Sequence, residues 1–262
     1  MKKLYTIILF FLFLTNAVSA QDIKNLSIND LSNLASEQND PEAQFYLGVM
    51  YEQGKGVEQD YEKAKQWYEK AASQGIVEAQ FNLGQIYYTG MGSAPDYVQS
   101  KNWFEKAASQ GDVDAQFNLG MMYENGRGVE QDFTQAKTWY EKAAAQGFVD
   151  AQFNLGIMYD TGEGIEQNYA KAKEWFEKAA LQGDAEAQTN LAWIYYEGKG
   201  VEKDLKLAKE WFERAAAQDQ PEAQYNLGIM YEDGNAVKRD PEQAQKWYKK
   251  ACENGLDSEI CK

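Results

Sequence analysis

Apolar and polar side chains follow a helical period along most of this chain, and the pattern returns every 36 residues. In the copy that begins at residue 113, Leu119 and Tyr123 share one helix face with neighbouring apolar positions, at about 100° per residue. A second apolar stripe includes Trp139. The spacing predicts two amphipathic helices, over 113–125 and 133–146, joined by a glycine-rich turn.

The register holds without insertion or deletion over residues 41–256, which gives six copies. Six of the seven tryptophans occupy one position of the unit: Trp67, Trp103, Trp139, Trp175, Trp211 and Trp247. A single hairpin cannot bury both of its apolar stripes, so neighbouring copies are expected to stack. The predicted fold is all-α, a solenoid of six helix-turn-helix repeats: 41–76, 77–112, 113–148, 149–184, 185–220 and 221–256.

Conserved spacing of small and polar residues inside the chain predicts how the helices end. A glycine stands where each first helix should stop, and a left-handed backbone is cheapest for glycine there. A short polar residue precedes each second helix and can cap it: Asp60, Asp96, Asp132, Asn168, Asp204 and Asp240. Five first helices carry an interior glycine, such as Gly120, which we expect to allow close packing over a tryptophan ring.

The segments outside the repeats have their own patterns. Residues 1–20 combine a basic start, an apolar run of eleven residues and a small-residue end, which is typical of a cleaved signal peptide. We therefore expect an exported chain, periplasmic or secreted, without membrane insertion after cleavage. Residues 21–40 should supply a capping helix, because Leu31 aligns with the tryptophan position. Residues 257–262 form a C-terminal tail.

The unit "AQFNLGMMYENGRGVEQDFTQAKTWYEKAAAQG", Ala115 to Gly147, resembles the Sel1-like repeat, a relative of the tetratricopeptide repeat. The resemblance covers all six copies. It implies a right-handed α/α superhelix used for protein–protein interaction. It also implies three settings for such a protein: an envelope adaptor, a secreted factor that meets a host protein, or a relative of cysteine-rich members described as β-lactamases.

The composition argues against catalysis. The chain has no histidine, which removes every imidazole-dependent triad, zinc site or proton relay. It also lacks Ser-x-x-Lys and Lys-Thr-Gly, the marks of serine β-lactamases. We predict no enzyme activity, no cofactor and no metal, although a cell-wall or β-lactam hydrolase stays the rival hypothesis. Acids that begin each first helix are expected to offset the helix dipole.

Charge limits the partner. The formal net charge is −15, which disfavours nucleic acid and favours a neutral or basic protein or peptide. We expect a monomer. Cys252 and Cys261 are the only cysteines, and in an exported chain they indicate a disulfide that ties the tail to the last repeat. Two free thiols or pairing between molecules are the alternatives.

The partner is expected on the concave face that the first helices line. One position of that face is an asparagine in five repeats: Asn82, Asn118, Asn154, Asn190 and Asn226. An amide can pair with a peptide backbone of any sequence, or it can simply bond within the scaffold. Aromatic departures from the pattern, Tyr88, Trp193, Tyr196 and Tyr225, are the candidate anchors. Trp193 has a second interpretation, in which it fills the space that Thr189 leaves.

Overall fold

The computed structural model describes residue 23 and residues 26–261, and the predicted signal peptide lies outside them. All regular structure in the described residues is helical, so the all-α expectation is confirmed. In chain order the α-helices are α1 Ile28–Glu37, α2 Pro41–Gln53, α3 Tyr61–Ser73, α4 Val77–Thr89, α5 Tyr97–Ser109, α6 Val113–Asn125, α7 Phe133–Ala145, α8 Val149–Thr161, α9 Tyr169–Leu181, α10 Ala185–Glu197, α11 Leu205–Ala216, α12 Pro221–Asp233 and α13 Pro241–Glu253, followed by a short 3-10 turn, Glu259–Cys261. None of the described helices is both long and apolar enough to cross a membrane.

The chain forms two compact units. The first comprises the described part of residues 1–119 together with Arg127–Val129, and the second comprises Gly120–Gly126 and the described part of residues 130–262. In the first unit the hairpins α2/α3 and α4/α5 stack in solenoid-like order, with α1 packed on α2. In the second unit the same order runs through α8/α9, α10/α11 and α12/α13.

Local sequence explains where the helices begin and end. Each second helix of a repeat is capped by the side chain of its preceding Asp or Asn, as predicted. First helices end on glycines with left-handed backbone, for example Gly162 with φ of 74°. In the sixth repeat Ala236 takes a similar left-handed conformation, with φ of 56°, where the other repeats have glycine. Ser27 caps the start of α1, and its hydroxyl accepts from the Asp30 N–H.

The interior glycines of the first helices lie against aromatic rings, but those rings are not tryptophans. A Cβ placed on Gly156 would lie 2.5 Å from Cδ1 of Phe176, the residue after Trp175. The same contact joins Gly48 to Tyr68, Gly84 to Phe104, Gly120 to Tyr140 and Gly228 to Tyr248. The expected packing over tryptophan is therefore wrong by one residue, because the next side chain points directly into the hairpin and is fully or almost fully buried.

The tryptophans have a different role. Each lies beneath the cation three residues later on its own helix, as with Lys142 Nζ, which is 3.5 Å from the Trp139 ring centroid. The same pair recurs as Lys70 on Trp67, Lys106 on Trp103, Lys178 on Trp175, Arg214 on Trp211 and Lys250 on Trp247. The sequence signal for this contact is the i, i+3 spacing of Trp and Lys or Arg.

Candidate functional site

A glutamine stands at the fourth position of every repeat and hydrogen-bonds to the preceding helix. We call this row of contacts the glutamine seam. Gln152 is buried, and its Nε2 donates to the Ala144 carbonyl oxygen of the preceding repeat at 3.2 Å. Its Oε1 accepts from Gln182 Nε2 at 2.8 Å, and the Gln182 amide also donates to Gly147 O. The bond to the preceding helix recurs at Gln44, Gln80, Gln116, Gln188 and Gln224. These buried amides therefore have a structural role between successive helices.

Three of the five asparagines hydrogen-bond to carbonyl oxygens of their own helices. Asn118 and Asn226 are buried, and their Nδ2 atoms donate to the carbonyl oxygens of Asp114 and Glu222 at 2.7 and 2.8 Å. Asn190 makes the same bond to the Glu186 carbonyl oxygen at 3.0 Å. Asn82 is half-buried. Asn154 is half-buried. A bond of this kind uses one of the two amide N–H groups, so the partner-binding role of this row stays a prediction.

Acidic side chains in the last turn of the first helices accept hydrogen bonds from buried tyrosines. Tyr140 Oη donates to Glu124 at 2.7 Å, and Tyr248 Oη donates to Glu232 at 2.5 Å. Burial, reinforced by the nearby carboxylate, raises the pKa of Tyr248. Both carboxylates are thus engaged within the protein. The signal for this pairing is that a tyrosine sixteen residues later accompanies each glutamate.

Tyr88 and Tyr196 stand at that same acid position in two other repeats, where the buried ring sixteen residues later is a phenylalanine. The Tyr88 hydroxyl contacts Arg127, and its ring lies 5.4 Å from that of Tyr97. The Tyr196 hydroxyl accepts from Asn235 Nδ2 at 3.1 Å. Both tyrosines therefore connect consecutive repeats, and both are half-buried.

Trp193 occupies a place that other repeats fill differently. Elsewhere the aromatic at the fifth position packs on the buried ring of the hairpin, as Phe153 does on Phe176 at 5.8 Å. Thr189 replaces that aromatic, and Trp193 meets Phe212 edge to face at 5.9 Å. The gap-filling interpretation is therefore supported, but Trp193 remains half-buried and lines a surface cleft. Tyr225 keeps the usual contact, 5.4 Å from Tyr248.

The cleft beside Trp193 encloses about 430 Å³ between α10 and α12. Its lining comprises Glu186, Thr189, Asn190, Trp193, Gln220, Pro221 and Glu222. A second cleft of about 640 Å³ lies at the equivalent place in the first repeat, where Glu42, Tyr46, Val49 and Glu78 are among the lining residues. Burial and the nearby charges of Glu78 and Asp40 raise the pKa of Glu42.

The exposed acids at the start of the first helices form no metal cluster. No group of three or more His, Cys, Asp or Glu side chains within residues 26–261 is placed to hold an ion. Cys252 and Cys261 are joined by a disulfide, with Cα atoms 5.4 Å apart, which links the tail to the end of α13.

Comparison with known proteins decides the family. The Sel1 repeat model matches residues 41–76, 77–112, 113–148, 149–184, 185–220 and 221–256. The chain belongs to the Sel1 repeat family. Sel1 repeat proteins are generally protein-interaction scaffolds and are typically non-enzymatic. No match was found among curated proteins.

Two solved structures resemble this Sel1 repeat protein over most of its length. One is a protective antigen present in uropathogenic Escherichia coli strains, 37% identical with a TM-score of 0.82, covering 91% of this chain. This chain spans only 54% of that protein. The other is a Sel1 repeat protein from Oxalobacter formigenes, 32% identical with a TM-score of 0.71, covering 93% of this chain and 99% of its own.

Proposed function

We propose that this chain is an exported scaffold that holds a partner protein, or an extended segment of one, against the faces of its first helices. The proposal rests on a difference between residue positions, because some are used in internal contacts and others are exposed. The seam glutamines, the six tryptophans of the repeat position and the interior glycines are committed to internal contacts. The first helices, by contrast, present a row of acids of which all but Glu42 are exposed: Glu42, Glu78, Asp114, Asp150, Glu186 and Glu222.

The charge of this row favours a neutral or basic partner. The chain as a whole carries a formal net charge of −15, so its field attracts cations over a distance comparable to the Debye length. An acidic partner or a phosphate backbone would be repelled. The proposed ligand is therefore a protein surface or peptide that contains lysine or arginine.

Export rests on the signal-like residues 1–20 and on the Cys252–Cys261 disulfide, which suits an oxidising compartment. The similar protein from uropathogenic E. coli is described as a protective antigen, a description that suits a surface-accessible or released protein. Mass spectrometry of the chain recovered from each cell fraction tests this directly. Loss of residues 1–20 in the periplasm or medium is expected, and an intact cytoplasmic chain would contradict export.

Site-specific photocrosslinking tests the binding face. A photoreactive phenylalanine replaces Gln85 or Ile157 on first helices, and matched controls replace Gln66 or Thr138, which are exposed on second helices. We expect the same partner to crosslink from Gln85 and Ile157 and not from the controls. Equal crosslinking from Gln66 and Thr138 would show that the first helices are not the binding face.

A further inference from the structure

Trp193 differs from the six tryptophans of the repeat position in what covers its ring. Each of those six has a lysine or arginine three residues later lying over it. Three residues after Trp193 stands Tyr196, whose ring meets the indole edge to face at 5.3 Å. The nearby Lys203 lies over Tyr196. Within the described residues, no lysine or arginine lies over Trp193.

Two carboxylates flank the same cleft. Glu186 lies in the first turn of α10 and Glu222 in the first turn of α12, and both acids line the cleft together with Trp193. Both side chains are exposed. Neither carboxylate forms an ion pair with a basic side chain among the described residues, in contrast to the acids of the second helices, such as Glu213 with Lys209.

Two other polar side chains of the cleft already donate hydrogen bonds to backbone carbonyl oxygens. The Thr189 hydroxyl donates to the Ala185 carbonyl oxygen at 2.9 Å, and Asn190 Nδ2 donates to the Glu186 carbonyl oxygen at 3.0 Å. Pro221 has no N–H group to offer. Gln220 supplies one amide that can donate or accept. The cleft is thus rich in hydrogen-bond acceptors beside an aromatic ring.

The geometry points to a subsite for an arginine side chain of the partner, in the cleft between α10 and α12. A guanidinium is planar, so it can stack on the indole while its N–H groups donate to the carboxylates that line the same cleft. The neighbouring Asn190 oxygen offers a further acceptor. A lysine ammonium would satisfy the charge but not the stacking. This inference rests on the proposed function and assigns a chemical class to one part of its binding face.

Fluorine NMR of the full chain labelled with 5-fluorotryptophan tests the subsite without the natural partner. Trp193→Phe identifies the Trp193 resonance. Blocked pentapeptides with a central arginine, lysine or citrulline then serve as probes; citrulline is a neutral analogue of arginine. We expect a saturable shift of the Trp193 resonance with arginine, a weaker effect with lysine and none with citrulline. The same shift with citrulline, or no shift with arginine, would overturn the inference.

Charge variants separate a local site from the overall field. Glu186→Gln with Glu222→Gln should weaken the arginine peptide by about fivefold, since each exposed ion pair contributes modestly. The matched control, Asp114→Asn with Asp150→Asn, removes the same charge at the same repeat position and should leave the affinity unchanged. If both double variants bind the arginine peptide equally weakly, the net charge of the chain and not this cleft accounts for binding. The crosslinking experiment stays independent, because it reports the natural partner and not this cleft.

Discussion

The Tyr140 hydroxyl donates a 2.7 Å hydrogen bond to the Glu124 carboxylate, and the residue types at these two positions change together along the chain. Tyr68 with Glu52 and Tyr248 with Glu232 repeat the bonded pair. The other repeats combine a phenylalanine with a different residue: Phe104 with Tyr88, Phe176 with Asp160 and Phe212 with Tyr196. A glutamate is therefore used where a buried hydroxyl needs an acceptor.

Tyr140→Phe tests this pairing. The variant removes the donor from the Glu124 carboxylate, and we expect the free energy of unfolding to fall by about 1.5–3 kcal/mol, the usual net value of a hydrogen bond to a charged group. Urea unfolding followed by circular dichroism measures the change. Adding Glu124→Tyr recreates the combination of Phe104 with Tyr88, so the double variant should recover part of the loss. Lower stability in the double variant than in Tyr140→Phe would contradict the pairing.

The fold was predictable from the sequence because the repeat supplied six internal comparisons. Helix bounds follow from caps and glycines, and the structure ends α7 at Ala145, one residue before the expected end. The contact of Gly120 was misassigned by one residue. Helical periodicity places both Trp139 and Tyr140 near the hairpin, and which ring lies under the glycine depends on the crossing of the two helices. A helical wheel describes one helix at a time, so it does not give the angle at which two helices cross.

The candidate site was less predictable. The wheel does not give the bond of Asn118 to the Asp114 carbonyl oxygen, because local side-chain bonding competes with exposure. The hydrogen bonds of the glutamine seam were not predicted from the sequence. Its second member, represented by Gln182, lies 30 residues beyond Gln152, and its bond depends on the stacking of neighbouring elements.

Substitution of Gln152 should lower the free energy of unfolding more than substitution of most other polar residues. Gln152→Ala leaves the buried Ala144 carbonyl oxygen without its side-chain donor and removes the acceptor used by Gln182. We expect a loss of about 1–3 kcal/mol in the free energy of unfolding. Gln66→Ala, at an exposed helical position, is the control and should change it by less than about 0.5 kcal/mol. Similar losses of unfolding free energy in Gln152→Ala and Gln66→Ala would mean that the glutamine seam does not contribute to stability.

Gly156→Ala should destabilise the chain, although alanine favours a helix over glycine by about 1 kcal/mol. The new methyl group would lie 2.5 Å from the Phe176 ring, and such overpacking costs about 1–3 kcal/mol. Repeat five accepts Ala192 together with Thr189 in place of the aromatic. Phe153→Thr should therefore reduce the penalty of Gly156→Ala, which thermal unfolding of the single and double variants measures. Strict additivity would exclude this coupling.

Reduction of the Cys252–Cys261 disulfide should affect the C-terminal end alone. The bond closes a short segment of nine residues in sequence separation, and the tail lies beyond the last helical hairpin. Hydrogen exchange should speed up in α13 and the tail on reduction and stay unchanged in α8 and α9. Alkylation of the unreduced chain should label no cysteine. Two labelled thiols in the chain recovered from the periplasm would show that the bond does not form there.

Tyr87 should make the stability of the chain sensitive to alkaline pH. Its hydroxyl donates to Glu69 at 3.1 Å, and burial, with the Glu69 charge as the next cause, raises the pKa of Tyr87 to about 12. An unfolded tyrosine ionises near pH 10, so above that pH the unfolded state loses its proton first. The stabilisation is therefore complete below pH 10 and is lost as the pH rises towards 12.

Tyr87→Phe should flatten this loss between pH 10 and 12, measured as the urea midpoint at each pH. Tyr88→Phe is the matched control, because it removes the neighbouring hydroxyl, which contacts Arg127 and not a carboxylate. Lysines lose charge over the same range in both variants, so their contribution cancels in the comparison. If the Tyr87→Phe profile runs parallel to that of Tyr88→Phe, then Tyr87 does not retain its proton in the folded state. In that event the hydrogen bond of Tyr87 to Glu69 would not explain the loss of stability between pH 10 and 12.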